Sequence, residues 1–424
     1  MLLVLLFILF YFINMQIIGT QFNGFSFVFL PYVFITIVNN TLWKNDFYPI
    51  TTSAIGVMCF AMLSYEIGLL FYYRVNSQRH HANVSNAHLY SLHGTEINYI
   101  FVERFIAVVT IYRLMIIIYV YINGGLTAVS RNDFAALDLG IISGRLVICL
   151  YPAGWMIAMR LFGDQELSKK NKIKYGFFCV LIVVVQFMST VKVYAMLFVL
   201  GVFLISIVFN KKNVIRGSIL LVGIVMFMFF GNYAIRWFSI DKSVPTLDYT
   251  LIHFWKYIAG GTINLDGVIN SGTTTYNIID FWTQVLSPIP NEFLIPLGQK
   301  ITCTGTIPYI TNFPSVSPNH YELSNVTNLF GRLYGCGGWN VIGFSISVML
   351  FAVITEKSVF EYRTAKSISG FLVGLALLGY SSLSFFSLYY ATSTFWQVIL
   401  YSYLFSKIAI KNTNKISSAN SNGN

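Results

Sequence analysis

Arg104, Arg113 and Arg145 stand inside long apolar stretches of the sequence, Glu66 and Glu103 have similar settings, and Lys192 lies near the outer end of another stretch. A charge at the centre of a membrane helix costs about 2.5–3.5 kcal/mol on insertion scales, so such residues face a bundle interior or a wet cavity and count as functional candidates. Arg131, Arg236 and Arg332 add cations in the connecting segments. The planar guanidinium fork grips phosphate with two hydrogen bonds, which lysine cannot do. Upstream of Arg332, the run Pro318-Asn319-His320-Tyr321-Glu322 offers two proton acceptors, His320 and Glu322. Histidine titrates near neutrality, and a partly buried glutamate can be raised into the same range. Asp266, Asp280 and Glu292 are further carboxylates of the same region. Each has a plainer reading: Glu103 can pair with an arginine, Arg160 can snorkel from a helix end, and His320 can bond to backbone. The chemistry these cations suit is the holding of an anionic, phosphate-bearing headgroup.

The elements that must position them are membrane helices. Of the 424 residues, 56% are hydrophobic and 10% charged, with a mean hydropathy of +0.67. Soluble domains carry about 25% charged residues. The spans fall near 2–19, 25–41, 49–73, 98–121, 139–162, 174–190, 192–210, 217–235, 338–355, 367–385 and 387–407, which makes eleven in an all-α, polytopic bundle forming a single membrane domain. The first lacks a basic flank and a small-residue cleavage site, so it is expected to be a retained helix. Alternate connections and the C-terminal tail hold 15 of the 27 basic residues, which makes that side cytoplasmic. The net charge of +11 is therefore topological bias, and a nucleic-acid partner is excluded.

The segment 236–337 then lies outside. It carries seven of the ten prolines together with apolar clusters such as Phe254-Trp255 and Phe281-Trp282, a pattern expected of short amphipathic helices in the interface. A loop of this length in a compact protein is usually functional. The five cysteines show no CxxC spacing, and the sequence contains no HExxH, Walker loop, dinucleotide fingerprint or Asp-x-Asp pair, so neither metal nor cofactor is expected. Cys303 and Cys336 share the oxidising face and are candidates for a bridge. His80, His81, His88 and His93 read as a polar cytoplasmic loop.

Three local motifs combine with this layout. They are Asn123-Gly124-Gly125-Leu126 with Ser130-Arg131, Tyr257-Ile258-Ala259-Gly260-Gly261 with Asn264-Leu265, and the run from Asn325 through Asn328, Gly331 and Arg332 to Gly337-Gly338. Arg332 and Gly343 keep an Arg-x10-Gly spacing, which Arg131 does not meet. The chain resembles the Wzy-type polymerases that assemble O-antigen and capsular polysaccharide from oligosaccharide repeat units. The resemblance implies a GT-C-like, metal-independent glycosyltransferase of the bacterial cytoplasmic membrane. It would move a glycan from undecaprenyl diphosphate to the sugar hydroxyl of another lipid-linked unit, with a flippase and a chain-length regulator as partners. Arg131 and Arg332, backed by Arg113, Arg145, Lys192 and Arg236, would hold the diphosphates, with His320 or Glu322 as base. A ligase of the O-antigen kind, a lipid-linked oligosaccharide flippase or other transporter, and a membrane O-acetyltransferase are the rival classes.

Reporter fusions test the orientation directly. Fusions after Lys174, Lys212 and Lys366 are expected to read as cytoplasmic, and one within 265–315 as external. An external signal at Lys212 overturns the map.

Overall fold

The computed structural model describes residues 1–18, 23–75, 96–130, 141–164, 166–189, 192–209, 247–271, 278–301, 316–318, 327–337, 341–364, 367–387 and 389–411, with isolated positions in 223–231. The helices are α1 (Leu2–Ile18), α2 (Gly24–Thr41), α3 (Thr52–Val75), α4 (Tyr99–Ser130), α5 (Ile141–Ile148), α6 (Leu150–Gly163), α7 (Lys169–Ser189) and α8 (Lys192–Phe209). They continue as α9 (Leu247–Ser271), α10 (Ile278–Leu286), α11 (Pro288–Leu294), α12 (Leu329–Gly337), α13 (Val341–Thr364), α14 (Ile368–Ser382) and α15 (Ser393–Ala409). Two-residue strands, β1 (Glu96–Ile97) and β2 (Ile410–Lys411), pair antiparallel.

Six of these helices are long and apolar enough to cross a membrane by length and composition: Gly24–Thr41, Thr52–Val75, Tyr99–Gly125, Gly144–Gly163, Lys169–Met188 and Val341–Thr364. Leu2–Ile18, Ala195–Phe209 and Ile368–Ser382 are shorter apolar helices. Helices occupy every expected span except 217–235, most of which lies outside the described residues. Their outer faces are apolar as well. Val108, Ile111, Met115, Ile118 and Ile122 form an exposed stripe on α4, as do Ile173, Phe177, Val180 and Val184 on α7. Water would penalise such stripes, whereas lipid chains would not.

The chain divides into two compact units, the first being Met1–Asn83, Leu247–Phe360 and Tyr380–Trp396, and the second Val84–Thr246, Glu361–Gly379 and Gln397–Asn424. In the first, α3 and α13 run in the same direction. Phe60 meets Phe344 with ring centroids 5.8 Å apart, Ser64 bonds Ser345 at 3.2 Å, and Tyr73 reaches Glu356 at 3.4 Å. The approach is closest at Gly68, where an added Cβ would lie 2.6 Å from the Met349 carbonyl oxygen and 2.7 Å from its Cα. Small residues four apart, here Ser64 and Gly68, let membrane helices touch backbone to backbone. Parallel packing puts residues 52 and 341 on one side of a membrane, so an odd number of crossings must separate residue 75 from residue 341.

In the second unit, α4, α6, α7 and α15 bring one set of ends together. Lys174 pairs with Glu103 at 2.8 Å, Arg160 lies 4.3 Å above the Tyr99 ring, and Asn98 donates its amide to the Ala409 carbonyl at 2.7 Å. Phe405 of α15 packs against Phe105 of α4 at 4.9 Å. Glu103 is thus paired, with Lys174 rather than an arginine. Arg160 also has Asp164 at 3.9 Å, the contact expected of a snorkelling side chain.

Two expected elements come out differently. The span 139–162 is broken between α5 and α6 at Cys149. Pro152 has no amide for the Ile148 carbonyl, and its ring crowds that turn. Gln186 picks up the nearby Val147 carbonyl at 3.0 Å. In the segment 236–337, α9 is one helix of 25 residues, in place of the short interfacial helices expected there.

Substitution separates the two kinds of glycine on α3. Gly68→Ala forces backbone apart and is expected to destabilise by about 1–3 kcal/mol, as overpacking does. Gly56→Ala meets nothing within 4 Å and should be neutral or slightly stabilising. Thermal unfolding of the purified variants measures both.

Candidate functional site

The second and third sequence motifs meet in the first unit. Gly261 sits mid-helix in α9 because α12 and the gap between α14 and α15 crowd against it. A Cβ there would fall 2.8 Å from the Phe385 carbonyl oxygen, 3.0 Å from that of Phe386 and 3.3 Å from the Asn328 nitrogen. The Asn328 amide donates to the Gly261 carbonyl at 3.3 Å, and the Leu329 amide to the Ser384 carbonyl at 3.0 Å. The Tyr32 hydroxyl donates to the same Ser384 oxygen at 2.9 Å. Three segments distant in sequence are thereby tied backbone to backbone.

Asn328 opens α12 as its N-cap, its side-chain oxygen accepting the Gly331 amide at 2.7 Å. Gly331 has no room for a side chain, since a Cβ would meet Thr327 Cγ2 at 2.7 Å. Phe330 anchors the same turn, stacked on Phe29 at 5.4 Å and tilted against Tyr32 at 4.9 Å. Arg332 follows as the first residue whose amide closes an intrahelical bond, to the Asn328 carbonyl at 3.0 Å, and its side chain is half-buried.

Around this knot lie polar atoms with hydrogen-bonding capacity left over. Thr262 Oγ1, Asn328 Nδ2 and Ser384 Oγ are buried and make no hydrogen bond, and all three residues are fully enclosed. Buried polar groups are nearly always bonded, so three exceptions at one junction call for an explanation. Two open apolar grooves belong to the same unit. One, of about 400 Å³, is lined by Ser53, Gly56, Val57, Phe60, Ile269 and Tyr334, where α3, α9 and α12 adjoin. The other, of about 610 Å³, runs along α10 and α11 over Ile279, Trp282, Leu286, Ile289, Pro290 and Ile301. Trp282 is pinned to α13 by donating to Ser347 Oγ at 3.0 Å.

The other sequence candidates divide. His320, Glu322, Arg131 and Arg236 lie outside the described residues, as do the side chains of Lys192, Asp280 and Glu292 and all four loop histidines. The Cys303–Cys336 pair also lies outside them, while Cys59, Cys149 and Cys179 are free thiols. Arg113 is buried on α4 and Arg145 half-buried on α5, both in the second unit, whereas Arg332 belongs to the first. The first motif breaks a helix: Gly125 takes φ +66°, a left-handed conformation that favours glycine. Asp266 is committed elsewhere, both its carboxylate oxygens accepting from Thr51, one from the amide at 2.9 Å and one from the hydroxyl. That bond holds the start of α3 and removes Asp266 from the list of free bases. No group of three or more His, Cys, Asp or Glu able to hold a metal occurs among the described residues.

The sequence reading missed Glu356, whose carboxylate accepts from the Tyr65 hydroxyl at 3.3 Å and the Tyr73 hydroxyl at 3.4 Å. Thr355-Glu356-Lys357 reads as the polar end of a span. The helix runs on to Thr364, which places Glu356 inside it.

Asn328 has two separable roles, and substitution resolves them. Asn328→Ala removes the cap and should lower stability by about 1 kcal/mol, whereas Asn328→Ser keeps a capping oxygen and should retain most of it. If the spare amide serves a ligand, both variants lose function while only Ala loses stability. Thermal unfolding alongside complementation of a deletion strain checks the split.

No protein-family profile, no curated protein and no solved structure matches this chain.

Proposed function

We propose that the protein polymerises undecaprenyl-diphosphate-linked repeat units of a surface polysaccharide, O-antigen or capsule, at the outer face of the cytoplasmic membrane. In this reading eleven membrane helices form a GT-C-like bundle with a cytoplasmic C-terminus. The observation that carries it is the knot of Gly261, Asn328 and Ser384, which joins two of the three motifs of the resemblance and sets Arg332 on the first turn of α12. Apolar grooves in the same unit suit reactants that arrive attached to lipid. The odd crossing parity demanded by α3 and α13 agrees with five spans between them.

The chemistry follows from the substrate class. A lipid diphosphate is already a good leaving group, so its developing charge needs cations more than it needs an acid. Arg332 supplies one, and Arg131, Arg113, Arg145, Lys192 and Arg236 are the further candidates. The attacking sugar hydroxyl must lose a proton, and His320 or Glu322 in the outer segment would take it. A second reading, a cation-coupled flippase of the same lipid-linked glycan, is favoured by one observation, the buried Glu66–Asn14 pair within the membrane-spanning helices.

Complementation of a polymerase-null strain tests the proposal. Arg332→Ala should cut polymer formation roughly tenfold to a hundredfold or more, the rate equivalent of a charged hydrogen bond worth about 1.5–3 kcal/mol. Arg332→Lys should recover only part, since lysine cannot make the bidentate contact. His320→Ala or Glu322→Gln should leave single-repeat product with membrane expression intact. Full-length polymer from both Arg332→Ala and Arg131→Ala would end the diphosphate role, and accumulation of unflipped lipid-linked units would favour the flippase.

A further inference from the structure

Two carboxylates lie inside the first unit, 5% and 1% exposed at Glu66 and Glu356, in opposite settings. Glu356 is surrounded by donors: the hydroxyls of Tyr65 and Tyr73 and the backbone amides of Gly24 and Phe25 at the start of α2. That arrangement answers an anion completely. Glu66 has one donor, Asn14 Nδ2, at 3.0 Å from Oε2. Its other oxygen, Oε1, is buried without a hydrogen-bond partner, and so is Oδ1 of the same Asn14, a residue with no exposed surface. One hydrogen-bonded pair therefore presents two unanswered acceptor oxygens.

Among the described residues no basic side chain pairs with them, and the Met1 amino group acts instead on Cys59, two turns earlier on α3. α1 and α2 contain no charged residue, and residues 19–22 between them are Gly, Thr, Gln and Phe. On α3 the titratable neighbours are Tyr65 and Tyr73, both engaged with Glu356, and Arg74, which is exposed at the helix end. On α13, Lys357 is likewise exposed, and Glu356 is a second negative group near enough to interact with Glu66. Two acceptors, a unit negative charge and a dry setting define the missing partner by chemistry: a small cation of single charge. A proton on Oε1 could be donated to Asn14 Oδ1, closing a ring with the amide bond already present. A sodium ion would instead take both oxygens as ligands. A magnesium ion, which gives up its water reluctantly, does not suit so small and dry a place.

We infer that Asn14 and Glu66 form a buried site for a monovalent cation, a proton or a sodium ion, within the membrane-spanning part of the first unit. The site stands independently of the polymerase reading, because it uses none of the residues assigned to glycosyl transfer.

Carbodiimide labelling of the purified full-length protein tests it, since dicyclohexylcarbodiimide modifies protonated carboxyl groups in apolar surroundings. Glu66 should be labelled, as read by peptide mass. Suppression by sodium chloride, severalfold relative to choline chloride at the same pH, assigns sodium. Labelling that falls with rising pH and ignores sodium assigns the proton. Glu66→Gln supplies a neutral amide able to satisfy both Asn14 atoms unaided, so the dependence of the melting temperature on pH or sodium should disappear. Should that variant fail to fold, Asn14→Ser is measured instead, and the labelling midpoint should move tenfold or more in cation concentration. Absence of labelling at every pH overturns the site. So does a Glu66→Gln melting temperature that keeps the wild-type dependence, or an unmoved midpoint in Asn14→Ser.

Discussion

Membrane interiors offer no water to buried polar groups, and the Glu356 carboxylate shows how this chain meets that constraint. Four donors from two separated segments converge on it: two amides that open α2 and two tyrosine hydroxyls of α3. A side chain at residue 24 is impossible there, because its Cβ would lie 2.6 Å from both the Glu356 and the Tyr65 oxygens. The bond fixes where α2 begins, and consequences run along the helix. Two turns on, about 12 Å at 1.5 Å per residue, Tyr32 holds the Ser384 carbonyl, and Phe29 and Tyr32 together hold Phe330. Phe330 belongs to the turn that carries Arg332. The placement of Arg332 thus traces back, through one helix, to a buried carboxylate at the far end of α2.

Helix interruptions in the second unit obey the same constraint. The break before Pro152 frees carbonyls that lipid cannot satisfy, and Gln186 from α7 takes one of them. Trp155 donates its indole to the Phe198 carbonyl at 3.3 Å, fastening α6 to α8 with no charge involved. At the gathered ends charged side chains find partners, Glu103 with Lys174 and Arg160 between the Tyr99 ring and Asp164, whereas Arg113 is buried in the middle of α4. Those three contacts gather helix ends whose connections carry much of the basic excess.

What the sequence makes legible is what depends on neighbours in sequence. Runs of about twenty apolar residues register locally, so the helices fall where hydropathy puts them. Pro152 could have been read as a break on the same local grounds. Gly260-Gly261 was a different matter. Gly261 keeps helical geometry and serves close approach, a role that only the positions of Phe385 and Asn328 reveal. Asp266 looks like a spare base until Thr51 is seen to occupy both its oxygens, from 215 residues away. Glu356 and its partner Tyr65 are 291 residues apart, and no spacing rule reaches that far. Arg332 stands out in the sequence through a local signal, the Arg-x10-Gly spacing that it keeps with Gly343.

The unsatisfied groups gain meaning from how easily this chain satisfies others. Hydroxyls on membrane helices have a ready partner in the carbonyl one turn back. Thr36 uses Tyr32, Thr110 uses Ile106, Thr355 uses Phe351 and Ser358 uses Ile354, all at 2.6–2.9 Å. Thr262 sits in a helix with the same option and leaves it unused. Ser384 gives its backbone carbonyl to two donors while its hydroxyl makes no bond. Asn328 spends its oxygen on the cap and keeps its amide in reserve. Unsatisfied donors at the Asn328 knot and unsatisfied acceptors at Glu66 are complementary in kind: the first suits an oxygen-rich or anionic group, the second a cation. The Tyr112 and Ser402 hydroxyls are buried without a bond as well, so a single open hydroxyl marks nothing; the Asn328 knot and the Glu66 pair differ in gathering several unmatched groups at one place.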